Sequence, residues 1–389
     1  MKNSADFESR PLPKTFVLEL TRRCNNHCLY CYNEGGALQS KSDSPRNGEM
    51  GTAELTDLIA KLCAETPVET IALSGGEPLL REDLPEILSF INAKGIAPVV
   101  ITNGTLLTPE KVAATKDGVT YEVTLLSYRE QVHDKLAGRR GAWKAAIDGM
   151  INVRQARGSL VAVFVATKLN VADLRKTAEL SIALGAGAIM YNRMNLGAHN
   201  LRYADRLLPT PDMIRENLEV LDGLAAQYGI PVAASVVIEP CVVDVRKYHH
   251  VHFGWCPLAG EESYFTIDPL GNVRICNHSP VVLGNLRRER CSDIYYNNPY
   301  LRLFRDTWPD ECKECEPTLK HMCCGGCKAS AEQCCGTLTR VDPFVTLSRP
   351  QGATSLALPA PVARRRVETH CSPFESPFFD QKEGGPGRE

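Results

Sequence analysis

The chain has 389 residues, a formal net charge of −2 and 16 cysteines. This length allows two domains with separate hydrophobic cores, and the balanced charge, without a basic stripe, excludes nucleic acid as an expected partner. No apolar run approaches the roughly 18–20 residues of a membrane span, and the N-terminal segment lacks the apolar stretch of a secretory signal. Because disulfide frameworks belong to exported proteins, we expect a cytoplasmic protein whose cysteines bind metal, with buried or incidental cysteines as the alternative.

From residue 15 to residue 208, short apolar runs alternate with amphipathic helical stretches. Strands are predicted at 15–20, 70–73, 96–102, 120–126, 160–166 and 186–191, and helices at 52–63, after Asp83, around Trp143 and at 171–184. Repeated β/α units of this kind predict an α/β fold with a parallel sheet closed partly or wholly into a barrel. In such barrels the chemistry lies at the carboxyl ends of the strands.

The remaining chain divides into three further regions. A connector at 209–255 contains a predicted helix that starts at Thr210 and Pro211, followed by a strand at 231–238. Cysteine-rich sequence fills 256–345, and the tail at 346–389 has no periodicity, so we expect it to be disordered. The barrel domain then corresponds to residues 15–208.

Three cysteines follow the first predicted strand, with the spacing Cys24-x3-Cys28-x2-Cys31. A [4Fe–4S] cluster is usually held by four cysteines, so a site with three leaves one iron open. Open coordination positions are where metal sites do chemistry. Structural zinc is the alternative, but it prefers paired C-x2-4-C knuckles, and no second knuckle lies close by in the sequence.

This triplet, with Tyr30 before its third cysteine, resembles the signature of the radical S-adenosylmethionine (SAM) enzymes. The resemblance implies an open partial (β/α)6, TIM-like barrel and a [4Fe–4S] cluster coordinated by three cysteines and SAM. It also implies that one electron cleaves SAM to methionine and a 5′-deoxyadenosyl radical, which removes hydrogen from a substrate.

Two turns resemble segments that bind SAM in this family. The first is Gly75-Gly76-Glu77-Pro78 after the second strand, which matches the GGE motif that binds the amino group of SAM. The second is the T-N-G segment around Asn103, after the third strand. Each could also be an ordinary strand-ending turn.

The resemblance implies further SAM contacts after the later strands. Either Thr124 or Ser127 would place a hydroxyl near the carboxylate or ribose of SAM, although Leu126 replaces the aspartate of the family segment. Asn170 matches a ribose-contacting position, with a helix N-cap as the alternative. Arg193 matches a residue that pairs with the SAM carboxylate, with a surface arginine as the alternative.

The second cysteine region resembles the SPASM extension, which holds one or two auxiliary [4Fe–4S] clusters. The cysteines that match it are Cys256, Cys276, Cys312, Cys315, Cys323 and Cys327. A zinc ribbon at Cys312 and Cys315 is the alternative, but it would leave Cys256 and Cys276 unexplained.

Two departures from the SPASM pattern concern the ligands. The middle spacing puts His321 where a strict reading expects cysteine, and the register favours Cys323 over Cys324. Val345 occupies the expected final cysteine position. We expect Cys335 to supply the missing thiolate, with Cys334, Cys371, an oxygen ligand or an open iron as alternatives. Some members of the family carry an extra cysteine shortly after the first, where this chain has Glu261 and Glu262, and Cys241 and Cys291 match no motif.

The resemblance therefore predicts a radical SAM/SPASM oxidoreductase that modifies a peptide or protein side chain, or a small-molecule substrate. Modification of tetrapyrrole side chains in heme formation is the alternative substrate class, and a non-catalytic iron–sulfur electron-transfer protein is the alternative in kind. An electron donor such as flavodoxin or ferredoxin is expected. Because about fourteen residues precede the first strand, a separate leader-binding protein is a further expected partner.

Overall fold

The structure is a computed structural model that describes residues 11–33, 48–197, 199–256, 263–313, 315–316, 319, 323 and 325–347. The predictions for Glu261, Glu262, His321, Cys324 and Cys371 lie outside the described residues, as does the predicted disorder of the tail from residue 348 onward.

The strands of the described chain form one open sheet in the order β11-β10-β9-β1-β2-β3-β4-β5-β6-β7-β8. They are β1 Thr15–Glu19, β2 Thr70–Ser74, β3 Ala97–Thr102, β4 Thr120–Thr124, β5 Ser159–Ala166, β6 Ala188–Arg193, β7 Val232–Ala234, β8 Val251–Phe253, β9 Tyr264–Ile267, β10 Asn272–Arg274 and β11 Val282–Asn285. Neighbours from β9 to β8 pair in parallel, whereas β9, β10 and β11 pair antiparallel. The predicted partial barrel of parallel strands is confirmed.

The helices cover the sheet between successive strands and continue into the cysteine-rich region. They are α1 Thr52–Glu65, α2 Leu84–Ala93, α3 Pro109–Thr115, α4 Glu130–Ala137, α5 Ala142–Gln155, α6 Leu174–Ala183, α7 Ala204–Leu207, α8 Pro211–Tyr228, α9 Cys291–Asn297, α10 Pro299–Asp306, α11 Lys328–Cys335 and α12 Pro343–Leu347. No helix among the described residues has the length and apolar character needed to cross a membrane.

Two predicted helix starts have different outcomes. Thr210 caps α8 as expected, because its hydroxyl accepts a hydrogen bond from the amide of Met213 at 3.4 Å. Asp83 precedes α2 but makes no side-chain cap. The Asp83 carboxylate instead accepts a hydrogen bond from the buried guanidinium of Arg81, with 2.9 Å between Nε and Oδ1. A buried cation needs a paired charge of this kind.

The cysteine-rich region is joined to the barrel through the sheet. Strand β9 pairs in parallel with β1, which places Phe265 opposite Phe16, and both side chains are fully buried. The predicted strand at 231–238 is shorter than expected: only Val232–Ala234 pairs, between β6 and β8. The following residues leave the sheet and approach the cysteine-rich region.

The loop after β1 is fixed to the end of α4. The amide of His27 donates to Ala137 O at 3.0 Å, and that of Leu29 donates to Leu136 O at 2.9 Å. Gly138 ends α4 with φ of 64°, and a Cβ at this residue would lie 2.2 Å from His27 O. A residue without a side chain is therefore required where the helix meets the cysteine loop.

We expect Gly138→Ala to destabilise the apo-protein by about 1–3 kcal/mol, because alanine there is strained and displaces the loop backbone. Gly223→Ala in α8 is the matched control, since no atom lies within 4 Å of a Cβ there. The control should gain up to about 1 kcal/mol of helix stability. Urea unfolding measures both variants, and a Gly138→Ala midpoint equal to that of the wild type would contradict the predicted clamp.

Candidate functional site

The three predicted cluster ligands lie together in the loop that follows β1. Cys24 is 8% exposed, Cys28 and Cys31 are partly buried, and the Cys31 amide donates to Cys28 O at 3.2 Å. Burial, with Glu77 and Cys31 nearby, raises the pKa of Cys24 to about 12. Burial and the other two cysteines raise the pKa of Cys28 well above its ordinary value. Three crowded thiols of this kind become thiolates together only beside a strongly cationic centre, so the donor set fits an iron–sulfur cluster.

The spacing of candidate ligands does not suit a single ion. Among the described residues, no three His, Cys, Asp or Glu side chains converge closely enough to hold one metal ion. Tetrahedral zinc needs thiolates about 3.8 Å apart, from Zn–S bonds of about 2.3 Å. In an iron–sulfur cluster each thiolate binds its own iron, so wider spacing is compatible with that cofactor.

The two glycines after β2 lie against the segment that enters the cysteine loop. The Gly76 amide donates to Thr21 O at 2.7 Å, and a Cβ on Gly76 would lie 1.9 Å from Arg23 O. Gly75 has φ of 126°, and its Cβ would lie 2.4 Å from Thr21 O. The glycines thus allow the turn to support the cysteine loop, a function that the sequence analysis did not foresee, while their contact with SAM stays a prediction.

Glu77 links the turns after β2 and β3. Its Oε1 accepts hydrogen bonds from Thr102 Oγ1 at 2.7 Å and the Leu79 amide at 3.1 Å, and its Oε2 accepts from the Asn103 amide at 2.9 Å. The side chain is fully buried, and burial raises its pKa. Since a carboxylate has about four acceptor positions, one remains on Oε2 for the predicted ammonium contact. Pro78 starts a short 3₁₀ turn, Pro78–Leu80.

Asn103 is a positioning residue for the cysteine loop. Its Nδ2 donates to Asn25 Oδ1 at 2.8 Å, and Asn25 lies between the first two cluster cysteines. Its Oδ1 accepts from the Thr105 amide at 2.9 Å. Any contact of Asn103 with SAM would therefore add to an existing loop contact.

The predicted polar residues after β4 and β5 are engaged with protein. Ser127 Oγ donates to Asp173 Oδ2 at 2.6 Å, so its donor is committed, whereas Thr124 ends β4 and is half-buried. Asn170 Nδ2 donates to Leu126 O at 2.7 Å, and its Oδ1 accepts from the Thr167 amide at 2.7 Å. Asn170 occupies the N-cap position of the short 3₁₀ turn Val171–Asp173, as the alternative predicted, but its side chain makes no capping hydrogen bond there. It connects the loops after β4 and β5, and its ribose contact stays a prediction.

Arg193, at the end of β6, is fully buried in a network of protein contacts. Its Nη2 lies 2.6 Å from Asp342 Oδ2 and 3.3 Å from Glu239 Oε1, and its Nε donates to Val237 O at 2.7 Å. The Phe344 ring lies 4.6 Å from the guanidinium carbon. The surface-arginine alternative is therefore wrong. The predicted pairing with the SAM carboxylate stays a prediction, and these contacts leave only Nη1 for a ligand.

The cysteines of the second region fall into two sets. Cys276 lies near Cys256 and Cys327, and Asn195 Nδ2 donates to Cys327 Sγ at 3.1 Å. Burial first, and then Cys256, raises the pKa of Cys276 to about 11. These three cysteines form the first set.

The second set surrounds a small cavity that is partly open to solvent. Cys312, Cys315 and Cys323 line it, and Cys241 lines it with them; that the first three bind a cluster stays a prediction. Cys335, expected as the missing ligand, does not line this cavity. It packs beside Cys334 against the core around Leu126 and Leu136.

Side chains that the sequence analysis missed connect the two regions. Tyr32 directly follows the cluster triplet, and its ring lies 3.8 Å from that of His278, two residues after Cys276. Tyr30, which the sequence analysis did name, lies beside Cys28, and its backbone oxygen accepts a hydrogen bond from Asn200 Nδ2 at 2.8 Å; a contact of Tyr30 with SAM stays a prediction. The signal available in the sequence for this contact was an aromatic ring close to each cysteine motif, Tyr32 after Cys31 and His278 after Cys276.

We expect Arg193→Gln to destabilise the apo-protein by about 3–5 kcal/mol, because two buried carboxylates would lose their counter-charge. Lys144→Gln is the control, because both side chains of the Lys144–Asp148 pair are more than half exposed (72% and 53%), so about 1 kcal/mol or less should be lost. Urea unfolding without SAM measures both. An unchanged midpoint for Arg193→Gln, with weakened SAM binding, would instead support the predicted carboxylate contact.

Comparison with known proteins agrees with this arrangement. Residues 18–181 match the Radical SAM superfamily, and residues 256–316 match the SPASM iron–sulfur cluster-binding domain. The first match contains the cysteine triplet and the turns after β2 to β5. The second contains Cys256, Cys276, Cys312 and Cys315.

Two curated relatives span nearly the whole chain. PqqA peptide cyclase of Gluconobacter oxydans is 26% identical and covers 86% of this chain and 91% of that protein. AdoMet-dependent heme synthase of Methanosarcina barkeri is 27% identical and covers 85% of this chain and 96% of that protein.

Solved structures share the fold. Streptococcus suis SuiB bound to S-adenosylmethionine has a TM-score of 0.69 at 13% identity, over 89% of this chain and 80% of that chain. The structure titled native anSMEcpe with bound AdoMet and Cp18Cys peptide has a TM-score of 0.65 at 14% identity, over 86% and 94%. The two family matches show that the chain carries a radical SAM domain followed by a SPASM iron–sulfur cluster-binding domain, and SAM and [4Fe–4S] clusters are the cofactors of these domains.

Proposed function

We propose that this radical SAM/SPASM enzyme is a peptide maturase that removes hydrogen from a side chain of a ribosomally made peptide. Bound SAM and a reduced cluster would supply the radical, and the chain would supply the binding site and its protection from water. The observation that carries the proposal is a set of buried polar atoms between the two cysteine regions.

Three of these atoms have no hydrogen-bond partner in the described part of the chain: Arg193 Nη1, Asn195 Oδ1 and His278 Nδ1. Arg193 and Asn195 come from the end of β6, and His278 follows Cys276. Burial, with Arg193 and Arg274 nearby, lowers the pKa of His278 to about 3, so its imidazole is neutral at working pH. The set therefore combines a cationic donor with neutral polar groups.

Buried polar atoms without partners are costly, so they indicate a ligand that satisfies them. A peptide backbone carries carbonyl acceptors and amide donors at short intervals, which suits mixed donors and acceptors. The similarity to PqqA peptide cyclase supports the same substrate class, and the SuiB fold is known with bound precursor peptide SuiA, at a TM-score of 0.68.

Tetrapyrrole side-chain modification is the second candidate, because the similarity to AdoMet-dependent heme synthase is equally extensive. In that case the Arg193 donor would face a tetrapyrrole carboxylate. For either substrate we propose flavodoxin or ferredoxin as the electron donor, and for a peptide also a separate leader-binding protein.

We expect the triple variant Cys24→Ala, Cys28→Ala, Cys31→Ala to form no 5′-deoxyadenosine when reduced with dithionite in the presence of SAM, while it keeps its auxiliary iron. Chromatography of the nucleoside and iron analysis measure the two properties. Cys63→Ala is the control, because Cys63 packs against the core from α1 and should leave both unchanged. SAM cleavage by the triple variant would show that the radical site is assigned to the wrong cysteines.

Substrate class is tested with two additions to the reduced enzyme: a short peptide encoded beside the gene, and a carboxylate-bearing tetrapyrrole. A mass change in the peptide supports maturation, whereas conversion of the tetrapyrrole alone would replace it. His278→Ala should raise the peptide KM about 3–10-fold, since one net hydrogen bond of about 0.5–1.5 kcal/mol is lost. Its rate of SAM cleavage without substrate should not change.

A further inference from the structure

Four cysteines from two separate parts of the sequence line one cavity. Cys312, Cys315 and Cys323 belong to the SPASM region, whereas Cys241 lies in the connector after β7. The cavity is partly open to solvent, and Trp308 and Leu319 contribute to its wall. Cys241 is exposed and matches no motif, so its position beside three cluster cysteines is unexplained by the family pattern.

The position of Cys241 is fixed by the residues before and after it. Glu239, two residues earlier, is bound by Arg193 from β6. The amides of Val242 and Val243 both donate to Glu239 O, at 2.9 and 3.0 Å, and close a turn around Cys241. This turn directs the connector toward the cavity.

The cysteine-rich segment fits closely against the same turn. Gly326 has φ of 77°, and a Cβ there would lie 2.6 Å from Glu239 Oε1. Gly326 lies between Cys323 and Cys327, so its missing side chain lets the connector approach the ligand segment. Burial, together with Glu239, Cys241 and Cys312, raises the pKa of Cys323, which also indicates that these thiols are close neighbours.

The other candidate thiols lie elsewhere. Cys334 and Cys335, at the end of α11, pack against the core around Leu126 and Leu136 rather than lining the cavity. Val345, at the position where relatives place a final cysteine, is buried in α12 and has no ligating atom. The final cysteine of the SPASM pattern is therefore missing at Val345, and Cys241, which matches no motif, lines the cavity.

We propose that Cys241 is the fourth thiolate ligand of the auxiliary cluster whose other ligands are Cys312, Cys315 and Cys323. Ligation releases the proton of each thiol to solvent and changes no oxidation state. The inference rests on the iron–sulfur chemistry of the SPASM domain and not on the proposed peptide substrate. A cluster with four thiolates has no open iron, so this cluster carries electrons and does not bind substrate directly.

Thiol footprinting tests the proposal without any activity measurement. The apo-protein and the anaerobically reconstituted protein are treated briefly with iodoacetamide, and each cysteine is quantified by mass spectrometry. We expect Cys241 to react readily in the apo-protein and at least 10-fold less in the reconstituted protein. Cys335 is the matched control and should react equally in both. Protection of Cys335 with full reactivity of Cys241 would overturn the assignment.

A second measurement counts iron. In a background of Cys24→Ala, Cys28→Ala and Cys31→Ala, adding Cys241→Ala should remove about four irons per chain, whereas adding Cys335→Ala should remove none. If iron is retained, the electron paramagnetic resonance spectrum of the reduced Cys241→Ala protein should differ from its parent. Unchanged iron together with an unchanged spectrum would contradict the proposal.

Because Cys241 is exposed, its substitution should not alter the thermal unfolding of the apo-protein, and this control separates lost ligation from misfolding. Neither measurement requires SAM or substrate. If the protein modifies no peptide but Cys241 is protected from iodoacetamide after reconstitution, the proposed function is rejected and the assignment of Cys241 as a cluster ligand is supported.

Discussion

The buried charge network of Arg193, Asp342 and Glu239 connects the three regions on which the enzyme depends. Arg193 ends β6, Glu239 lies in the connector, and Asp342 lies near the end of the cysteine-rich region. Burial alone would lower the pKa of Arg193, but Asp342 and Glu239 more than compensate and raise it. Removing one partner of such a group costs about 3–5 kcal/mol, whereas an exposed pair contributes about 1 kcal/mol or less. The network therefore fixes the connector and the end of the cysteine-rich region against the end of β6.

The radical site depends on a second constraint, the support of the cysteine loop from two sides. Gly138 and the end of α4 hold one side of the loop through His27. Gly76 and Asn103 hold the other, from the turns after β2 and β3. These protein contacts restrict the loop from both sides, which reduces the ordering entropy that cofactor binding costs.

Much of the fold and part of the site follow from local sequence. The strands from β1 to β6 are apolar runs between helical stretches, and a parallel sheet is the packing that buries both of its faces. The cysteine triplet lies within one short stretch of sequence, Cys24 to Cys31, so its three thiols belong to one loop independently of the rest of the fold. The position of the glycine pair after β2 identified it as a candidate SAM-binding segment. Its close approach to Thr21 and Arg23 was not predicted from the sequence.

Contacts between distant segments could not be derived in this way. No local pattern predicts that β9 extends the barrel sheet beside β1, because strand pairing depends on which edges remain open in the folded chain. The same applies to Arg193, for which the sequence analysis did not consider a structural network with Glu239 and Asp342.

The sequence by itself determined the radical SAM signature, the order of the barrel and the cysteines of the SPASM pattern, since these are set by spacing along the chain. Only the tertiary structure decided what completes the second cysteine set. Cys241 is more than 70 residues from Cys312 in the sequence, yet the Arg193–Glu239 contact and the small size of Gly326 bring both to one cavity. A ligand identified by spatial position rather than by spacing becomes visible only after the chain has folded.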